Sequence, residues 1–517
     1  MTGAAPGDLP PPFSSASTIF SAIARHAGTS PEKTAIICGG TQLSYRELAE
    51  RVSKVTAGLV ARGVTPGQRI GVETDGAIDH LLGVIAAMSA GAIAVALPTD
   101  LQSCRGVAED AEPALVLTTK RTFDAADEHT YKCPCVHVED FSSGAADPGW
   151  SRLERAVRPE EIAMLYYTSG TSSGVRKGVM QSYGQLHHTV HYITRLMRME
   201  SSICEFVASP TDNAFWFGRL RCVLHVGGTA ILSNGTLNPL SIVSAVNRHG
   251  GNAIAGDTAV FMILLHHMEK HLVRLAPKIR WVKMASAPMP VEDKRRLMEI
   301  LPQAWIVMNY GLTEAMRTCL HPFRESPDKL ASVGRPCPSV KVRIDGDNGR
   351  EPAPGEVGEV LISGGNLASG YWRNEALWAE RFRNGWYHSG DRGYLDEDGF
   401  LYLKGRIDHA INSGGKTIAL SEVEDHLRPF MTHTTYAACG IDDPRGVLGE
   451  VVVLCVEGAW KESVPWDEQR IHLFEAMEQL LVPVAAYVVP EFPRTSNQKV
   501  QLNILRQRIE EGQYSTL

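Results

Sequence analysis

The run Ala163-Met164-Leu165-Tyr166-Tyr167, continued by Thr168-Ser169-Gly170-Thr171-Ser172-Ser173-Gly174-Val175-Arg176-Lys177-Gly178, decides how this chain is read. The first five residues predict a buried strand, because an apolar run of that length bounded by turn residues fits a strand covered on both faces. The segment from Thr168 to Gly178 gathers hydroxyls, glycines and a lysine into one turn. Glycine tolerates positive φ and close backbone approach, Ser and Thr hydroxyls donate hydrogen bonds, and lysine brings charge to an anion. Such a loop can wrap phosphate oxygens. It is not a Walker A motif, since no Gly-Lys-[Ser/Thr] comes after a four-residue spacer. Taken alone it reads equally well as a flexible Ser/Gly surface turn.

Outward from this loop, the N-terminal half alternates strands with amphipathic helices. Ser44 and Glu47 stand at capping-box spacing, and Leu48, Val52, Val55 and Leu59 recur at helical intervals until Gly63 and Pro66 end the pattern. Short apolar runs at Thr34–Ile37, Arg69–Val72, Ile93–Leu97 and Ala114–Leu117 fall between such helices, the rhythm of a layered α/β domain with a largely parallel sheet. The uncharged stretch Leu81–Leu97 is at the short edge of membrane-spanning length. It divides instead into a helix, a stop at Gly91 and a buried strand ended by Pro98. After about residue 340, short strands and turn dipeptides such as Asp345-Gly346 and Asp398-Gly399 replace long helices, so a β-rich subdomain begins there. Past Arg406 the chain reads as a small α+β unit: a helix over Ser421–Leu427, a strand near Val451–Val456, and a helix over Asp467–Leu481.

Composition narrows the function classes. At 517 residues with 44% hydrophobic content the chain exceeds what one core usually serves. A net charge of −7 with scattered Lys and Arg leaves no basic field for nucleic acid, so small molecules are the expected partners. Ten cysteines include no Cys-x-x-Cys pair and read as reduced thiols. Met1–Ser15 is rich in Pro, Gly and Ala without a basic or apolar signal region, which predicts a disordered lead and a cytoplasmic protein with no membrane partner.

Four further motifs stand with the first loop: Asn309-Tyr310-Gly311-Leu312-Thr313-Glu314, Trp386-Tyr387-His388-Ser389-Gly390-Asp391, Gly405-Arg406-Ile407-Asp408 and Pro493-Arg494-Thr495-Ser496-Asn497-Gln498-Lys499. Five motifs in this order, over about residues 18 to 505, resemble the adenylate-forming superfamily of acyl-CoA synthetases, peptide-synthetase adenylation domains and luciferases. The resemblance implies an N-terminal adenylation domain over 18–405, a hinge at 406–408 and a mobile C-terminal domain over 409–517, behind a lead over 1–17. It implies ATP and Mg²⁺, with CoA as second substrate. It assigns ATP binding to Thr168, Ser169, Gly170, Thr171, Lys177, Ala287, Asn309, Tyr310, Gly311, Asp391 and Arg406. Each role has a chemical reason. Tyr310 is a flat face for adenine, and Thr313 a donor to phosphate. Glu314, with Thr171, would hold Mg²⁺, a hard ion that neutralises the triphosphate while a carboxylate approaches its α-phosphorus. Asp391, acceptor-only when ionised, suits the ribose diol. Arg406 would lie near ribose and phosphate, Asp408 would be the hinge, and Lys499 would place charge on the transition state. Thr313, Glu314 and Lys499 are thus the implied catalytic set.

The acid pocket is expected around Asp212, Phe215 and Trp216, then Ser286, then Gly311 and Leu312. The aromatics Phe215, Trp216 and Phe217 favour a small or aromatic acid, and equally read as plain core. Asp212 reads as a substrate-amine partner or a turn residue, and His187 and His188 as pocket or capping residues. The chain departs from the family in a phosphate loop longer by one residue, in Arg176 before Lys177, and in Asn412, Leu420 and Gln498 where the family has Lys, Pro and Gly. Those last three lie where a thiol would enter, so a carrier-protein pantetheine or a nitrogen nucleophile stays open as acceptor beside CoA. A non-catalytic nucleotide-binding protein on the same fold is the reading from another class. Expected partners are therefore a small carboxylic acid and CoA or a carrier protein, with a second copy of the chain as a candidate homodimer partner.

Overall fold

In the computed structural model of the protein the described residues are 13–14, 17–98, 101–119, 131–141, 156–168, 176–233, 239–346, 350, 352–414, 416–494 and 500–517. They form two compact units. One holds the described residues up to Thr168 with Arg176–Val342 and Ile362–Tyr387, and the other holds Arg343–Leu361 with His388–Leu517.

The first unit is α/β with two large sheets. In one, five strands run parallel in the order Ile162–Thr168, Ile93–Ala96, Arg69–Val72, Leu115–Thr118, Cys135–His137. Lys177–Ser182 and Gly370–Tyr371 extend its edge antiparallel. In the other, the inner strands are parallel in the order Trp305–Tyr310, Trp281–Ala285, Ala253–Asp257, Cys204–Ala208, Thr229–Leu232, Thr34–Cys38. Ile93–Ala96 and Leu115–Thr118 are buried at every position, which explains why these strands read as unbroken apolar runs rather than alternating ones.

Local signals place the helices. Over Tyr45–Ala61 the Ser44 hydroxyl accepts from the Glu47 amide at 3.2 Å while the Glu47 carboxylate accepts from the Ser44 amide at 2.7 Å, and Leu48, Val52, Val55 and Leu59 are buried. Satisfying two orphan amide donors at once fixes where this helix starts. The uncharged stretch resolves into the helix Ala77–Ser89, a left-handed Gly91 at φ 84° and the strand Ile93–Ala96. No helix among the described residues is long and apolar enough to cross a membrane.

In the second unit the part of the strand Trp386–Leu395 from Asp391 onward pairs antiparallel with Leu401–Arg406, joined by a turn with Gly399 at φ 78°. Beyond it, Tyr436–Asp442, Glu450–Glu457, Ala486–Val489 and Ser515–Thr516 form a four-stranded sheet. The helix Leu420–Leu427 buries Val423 and Leu427 against one face of this sheet, and Leu502–Glu510 buries Leu505 and Ile509 against the other. The helix expected over Asp467–Leu481 is two pieces, Trp466–Ala476 and a single turn at Gln479–Leu481. Met477 between them is extended, at φ −143° and ψ 162°, and the next proline, Pro483, bars helical backbone at Val482.

Candidate active site

Four neighbouring parallel strands of the first unit release the expected residues from one edge. Trp305–Tyr310 ends on Tyr310, Trp281–Ala285 runs into Ser286, Ala253–Asp257 into Thr258, and Cys204–Ala208 into the turn that carries Asp212. The carboxyl edge of a parallel sheet is where α/β folds leave room for ligands, because the loops there need not pack on a following strand.

Ser286 holds a left-handed backbone at φ 82° without being glycine. Its hydroxyl donates to Asp257 Oδ1 at 2.7 Å, and Thr258 Oγ1 donates to the carbonyls of Ala287 at 2.7 Å and Ala285 at 3.2 Å. Three hydrogen bonds thus hold an unfavourable turn and leave Ser286 and Ala287 exposed, a pattern that points to function. On the helix Ala214–His225, Asn213 caps the N-terminus by accepting from the Phe215 amide at 2.9 Å. Asp212 and Phe215 are half-buried there. Trp216 is buried, its indole edge-on to the His80 imidazole at 5.6 Å. His188 is buried on the helix Tyr183–Leu196, bonded to Ser339 Oγ at 2.8 Å.

The segment after Tyr310 is tight. A Cβ on Gly311 would stand 2.4 Å from the Arg317 amide nitrogen and 2.9 Å from the Ala315 carbonyl, so glycine alone fits. Leu312 and Ala315 exchange backbone hydrogen bonds at 3.0 and 3.2 Å, and Gln181 donates to the Thr313 carbonyl at 3.4 Å. The same turn delivers Glu314, whose Oε1 accepts from the Tyr371 hydroxyl at 2.8 Å. Tyr371 in turn lies 3.0 Å from the Tyr387 hydroxyl. Burial, then the Glu314 charge, pushes both phenols above their ordinary range, so each stays protonated. With its proton committed to Glu314, Tyr371 accepts from Tyr387. Lys177 Nζ stands 5.8 Å from the centre of the Tyr371 ring, a cation–π distance. Lys177 pairs in register with Thr168 at the base of the Ser/Gly-rich loop. One phenol therefore gathers the loop's lysine and the Glu314 carboxylate. Asn309 Oδ1 is buried with no hydrogen-bond partner, an acceptor left for a donor.

In the second unit Asp391 sits within a strand rather than a turn, 6% exposed. Its Oδ1 accepts from Arg406 Nη1 at 3.2 Å, and its amide donates to Ser389 Oγ at 3.0 Å, which donates to the Val360 carbonyl at 2.6 Å. Glu359 accepts from the Gly390 amide at 3.1 Å and lies 2.8 Å from His388 Nδ1. Asp391 and Arg406 are thus fixed before any ligand arrives.

Ser169, Gly170, Thr171 and Lys499 lie outside the described residues, and of Asp408 only the backbone, in the turn Ile407–His409, is described. No group of three or more His, Cys, Asp and Glu gathers as a metal site among the described residues. A single hard carboxylate, Glu314, fits Mg²⁺, which is commonly held by one or two carboxylates with substrate phosphates and waters completing its shell. Sequence reading passed over Tyr371, Gln181 and Glu359, each of which acts by orienting a motif residue. It also passed over Lys283, Arg221 and Arg317, although a lysine inside the apolar strand Trp281–Ala285 is a legible signal.

Comparison with known proteins extends over nearly the whole chain. The sequence profile of a family described as AMP-binding enzyme matches residues 23–372. A feruloyl-CoA synthase of an Amycolatopsis species is 30% identical, over 94% of this chain and 97% of its own length. A 2-succinylbenzoate–CoA ligase of Bacillus cereus is 28% identical over 94% and 98%. Among solved structures, o-succinylbenzoate CoA synthetase of Bacillus subtilis with its acyl-adenylate intermediate superposes with TM-score 0.83 at 24% identity, over 94% and 97% of the chains. ATP-bound MatB of Rhodopseudomonas palustris gives TM-score 0.86 at 24% identity, over 95% and 99%. These two similarities establish the fold.

Proposed function

Because this chain belongs to the AMP-binding enzyme family, we propose that it is an acid–CoA ligase, working through the residues described above. It activates a carboxylic acid with ATP as the acyl-AMP and then transfers the acyl group to CoA. In the first step a carboxylate oxygen bonds to the α-phosphorus, the α–β bridging bond breaks, and pyrophosphate leaves. In the second, the CoA sulfur attacks the acyl carbon after losing its proton to solvent, and AMP leaves.

The observation that carries the residue-level reading is the gathering of Lys177 and Glu314 on Tyr371. A cation over the ring and a metal-seeking carboxylate on the hydroxyl of one phenol suit a polyphosphate, whose charge must be countered before a second anion approaches. Mg²⁺ held by Glu314 and Thr171 supplies that neutralisation when bound. Glu314, oriented by Tyr371, keeps one face toward the phosphates, and Thr313 donates to them. Tyr310 and Asn309 take the adenine, where an exocyclic amine would satisfy the orphan Asn309 oxygen. Asp391 and Arg406 take the ribose, and Ser169, Gly170, Thr171 and Lys177 the phosphates. Asp212, Phe215, Ser286, Gly311 and Leu312 border the acid. Asp408 serves as the hinge between the half-reactions, with domains over 18–405 and 409–517. Ten cysteines with no disulfide between them among the described residues support a reducing, cytosolic setting.

Lys499 is assigned the charge that bridges substrate carboxylate and α-phosphate. Lys499→Ala should lower the rate of pyrophosphate exchange by roughly 10²-fold or more while ATP binding, measured by fluorescent-nucleotide displacement, stays within about threefold. An unchanged exchange rate contradicts this role.

A further inference from the structure

Arg317 leaves the Gly311 turn and carries its guanidinium to the helix Ala214–His225, where a Cβ on Gly218 would stand 1.9 Å from Arg317 Nη2. It spans two of the segments assigned to the acid. Lys283, two residues before Ala285 and so on the same face of its strand, is fully buried, and its Nζ has no hydrogen-bond partner. Arg221, one helical turn past Phe217, is buried as well, with Nε unpartnered and Nη1 donating to the Leu186 carbonyl at 3.0 Å. Arg317 itself, 8% exposed and left-handed at φ 54°, donates among the described residues to the Met316 sulfur at 3.4 Å.

These three cations act on one another through Arg317. No carboxylate among the described residues pairs with any of them. Glu205, fully buried, is engaged bidentately by Arg219 at 2.6 and 2.9 Å. Cys337, beside Lys283 and Arg317, is a thiol pushed up to about 12 by burial and carries no compensating charge. Buried basic groups without counter-charge are costly, and a ligand carboxylate reaching them would relieve that cost. Arg317 contributes a planar fork suited to carboxylate, and Lys283 a compact point charge.

We propose that Lys283, Arg317 and Arg221 form the receptor for a second carboxylate on the acid substrate, so that the acid this enzyme activates is a dicarboxylic acid. The inference rests on the adenylation reading above and names the substrate class of that site. The reacting carboxylate meets ATP, and the remote one enters the cation cluster. Burial, first of all, and then the Arg219 and Arg317 charges hold the Lys283 amine well below the usual lysine range. An arriving carboxylate reverses that balance, so binding draws a proton onto Lys283.

The test pairs aliphatic and aromatic dicarboxylic acids with the monomethyl ester of each, in ATP–pyrophosphate exchange on the full chain. For at least one pair the diacid should exceed its ester by roughly 10²-fold in kcat/KM, because a site built for a charged group rejects the analogue that lacks it. Lys283→Met should collapse this ratio, chiefly through the diacid KM, while melting no lower than the wild type, since it removes an unpaired buried amine. Titration calorimetry in two buffers should show proton uptake with the diacid in the wild type and less in Lys283→Met. Esters that match or beat their diacids, or a ratio untouched by Lys283→Met, overturn the second-carboxylate site and leave adenylation standing. Exchange with no acid of either class contradicts adenylation and this proposal together.

Discussion

Replacing Tyr371 by Phe removes one oxygen from a residue that is 3% exposed and touches Glu314 by a single 2.8 Å hydrogen bond. A bond to a charged acceptor is worth about 1.5–3 kcal/mol, and half-exposure of Glu314 puts this one near the lower end. At about 1.4 kcal/mol per factor of ten, the carboxylate loses roughly tenfold of its preference for the orientation proposed to hold the metal. The assay is ATP–pyrophosphate exchange against free Mg²⁺ at fixed acid. Tyr371→Phe should move the Mg²⁺ midpoint up roughly tenfold, with the rate at saturating Mg²⁺ recovering to within about threefold. Tyr387→Phe, one link further from the carboxylate, should move it less. A Mg²⁺ curve superimposable on the wild type, in a variant that melts normally, would refute the positioning role. So would a rate loss that no amount of Mg²⁺ restores.

Gly311→Ala meets backbone atoms at 2.4 and 2.9 Å, which cannot swing aside as a side chain can. It should cost about 2 kcal/mol in denaturant unfolding and raise the KM for ATP or acid, with a near-wild-type variant contradicting the tight turn. Glu205→Gln leaves Arg219 charged and unpaired where both partners are fully buried. Unfolding should then be easier by about 3–5 kcal/mol, and a loss under about 1 kcal/mol would show that the pair is not what balances Arg219. His80 and His188 are held neutral by burial, each down to about 4. The unfolded chain binds their protons near pH 6.5, so their contribution is complete above that pH and is lost as pH falls toward 4. Between pH 7.5 and 5 each accounts for roughly 2 kcal/mol. Glu73 and Asp79, raised by burial, work in the opposite direction, so the comparison is with His80→Phe, whose stability should fall less steeply over that range. Equal slopes would contradict the assignment.

Much of the fold was legible because its signals are local. The Ser44–Glu47 box, the apolar strand before the phosphate loop and the Gly91 stop each depend on neighbours in sequence, and each appears in the structure. The split of Asp467–Leu481 was missed because Met477 has an ordinary helical side chain and only its backbone conformation breaks the helix. At the site, Glu314 and Asp391 could be named from their motifs. Tyr371 could not, since it reaches Glu314 across 57 positions of sequence through the strand pair Gly370–Tyr371 and Lys177–Ser182. The Phe215-Trp216-Phe217 cluster was ambiguous for a physical reason: on one helix Phe215 stays half-exposed while Trp216 turns to His80.

Whether this chain couples ATP cleavage to thioester formation on a carboxylic acid is decided by one experiment. Purified protein with ATP, Mg²⁺, CoA and a panel of acids that includes dicarboxylic ones is followed for AMP and for acyl-CoA by mass spectrometry. The expected result is AMP and thioester in equal amounts with at least one acid, and pyrophosphate exchange with that acid when CoA is withheld. AMP formed without any thioester would contradict transfer to CoA, and absence of AMP and of exchange across the panel would contradict adenylation itself.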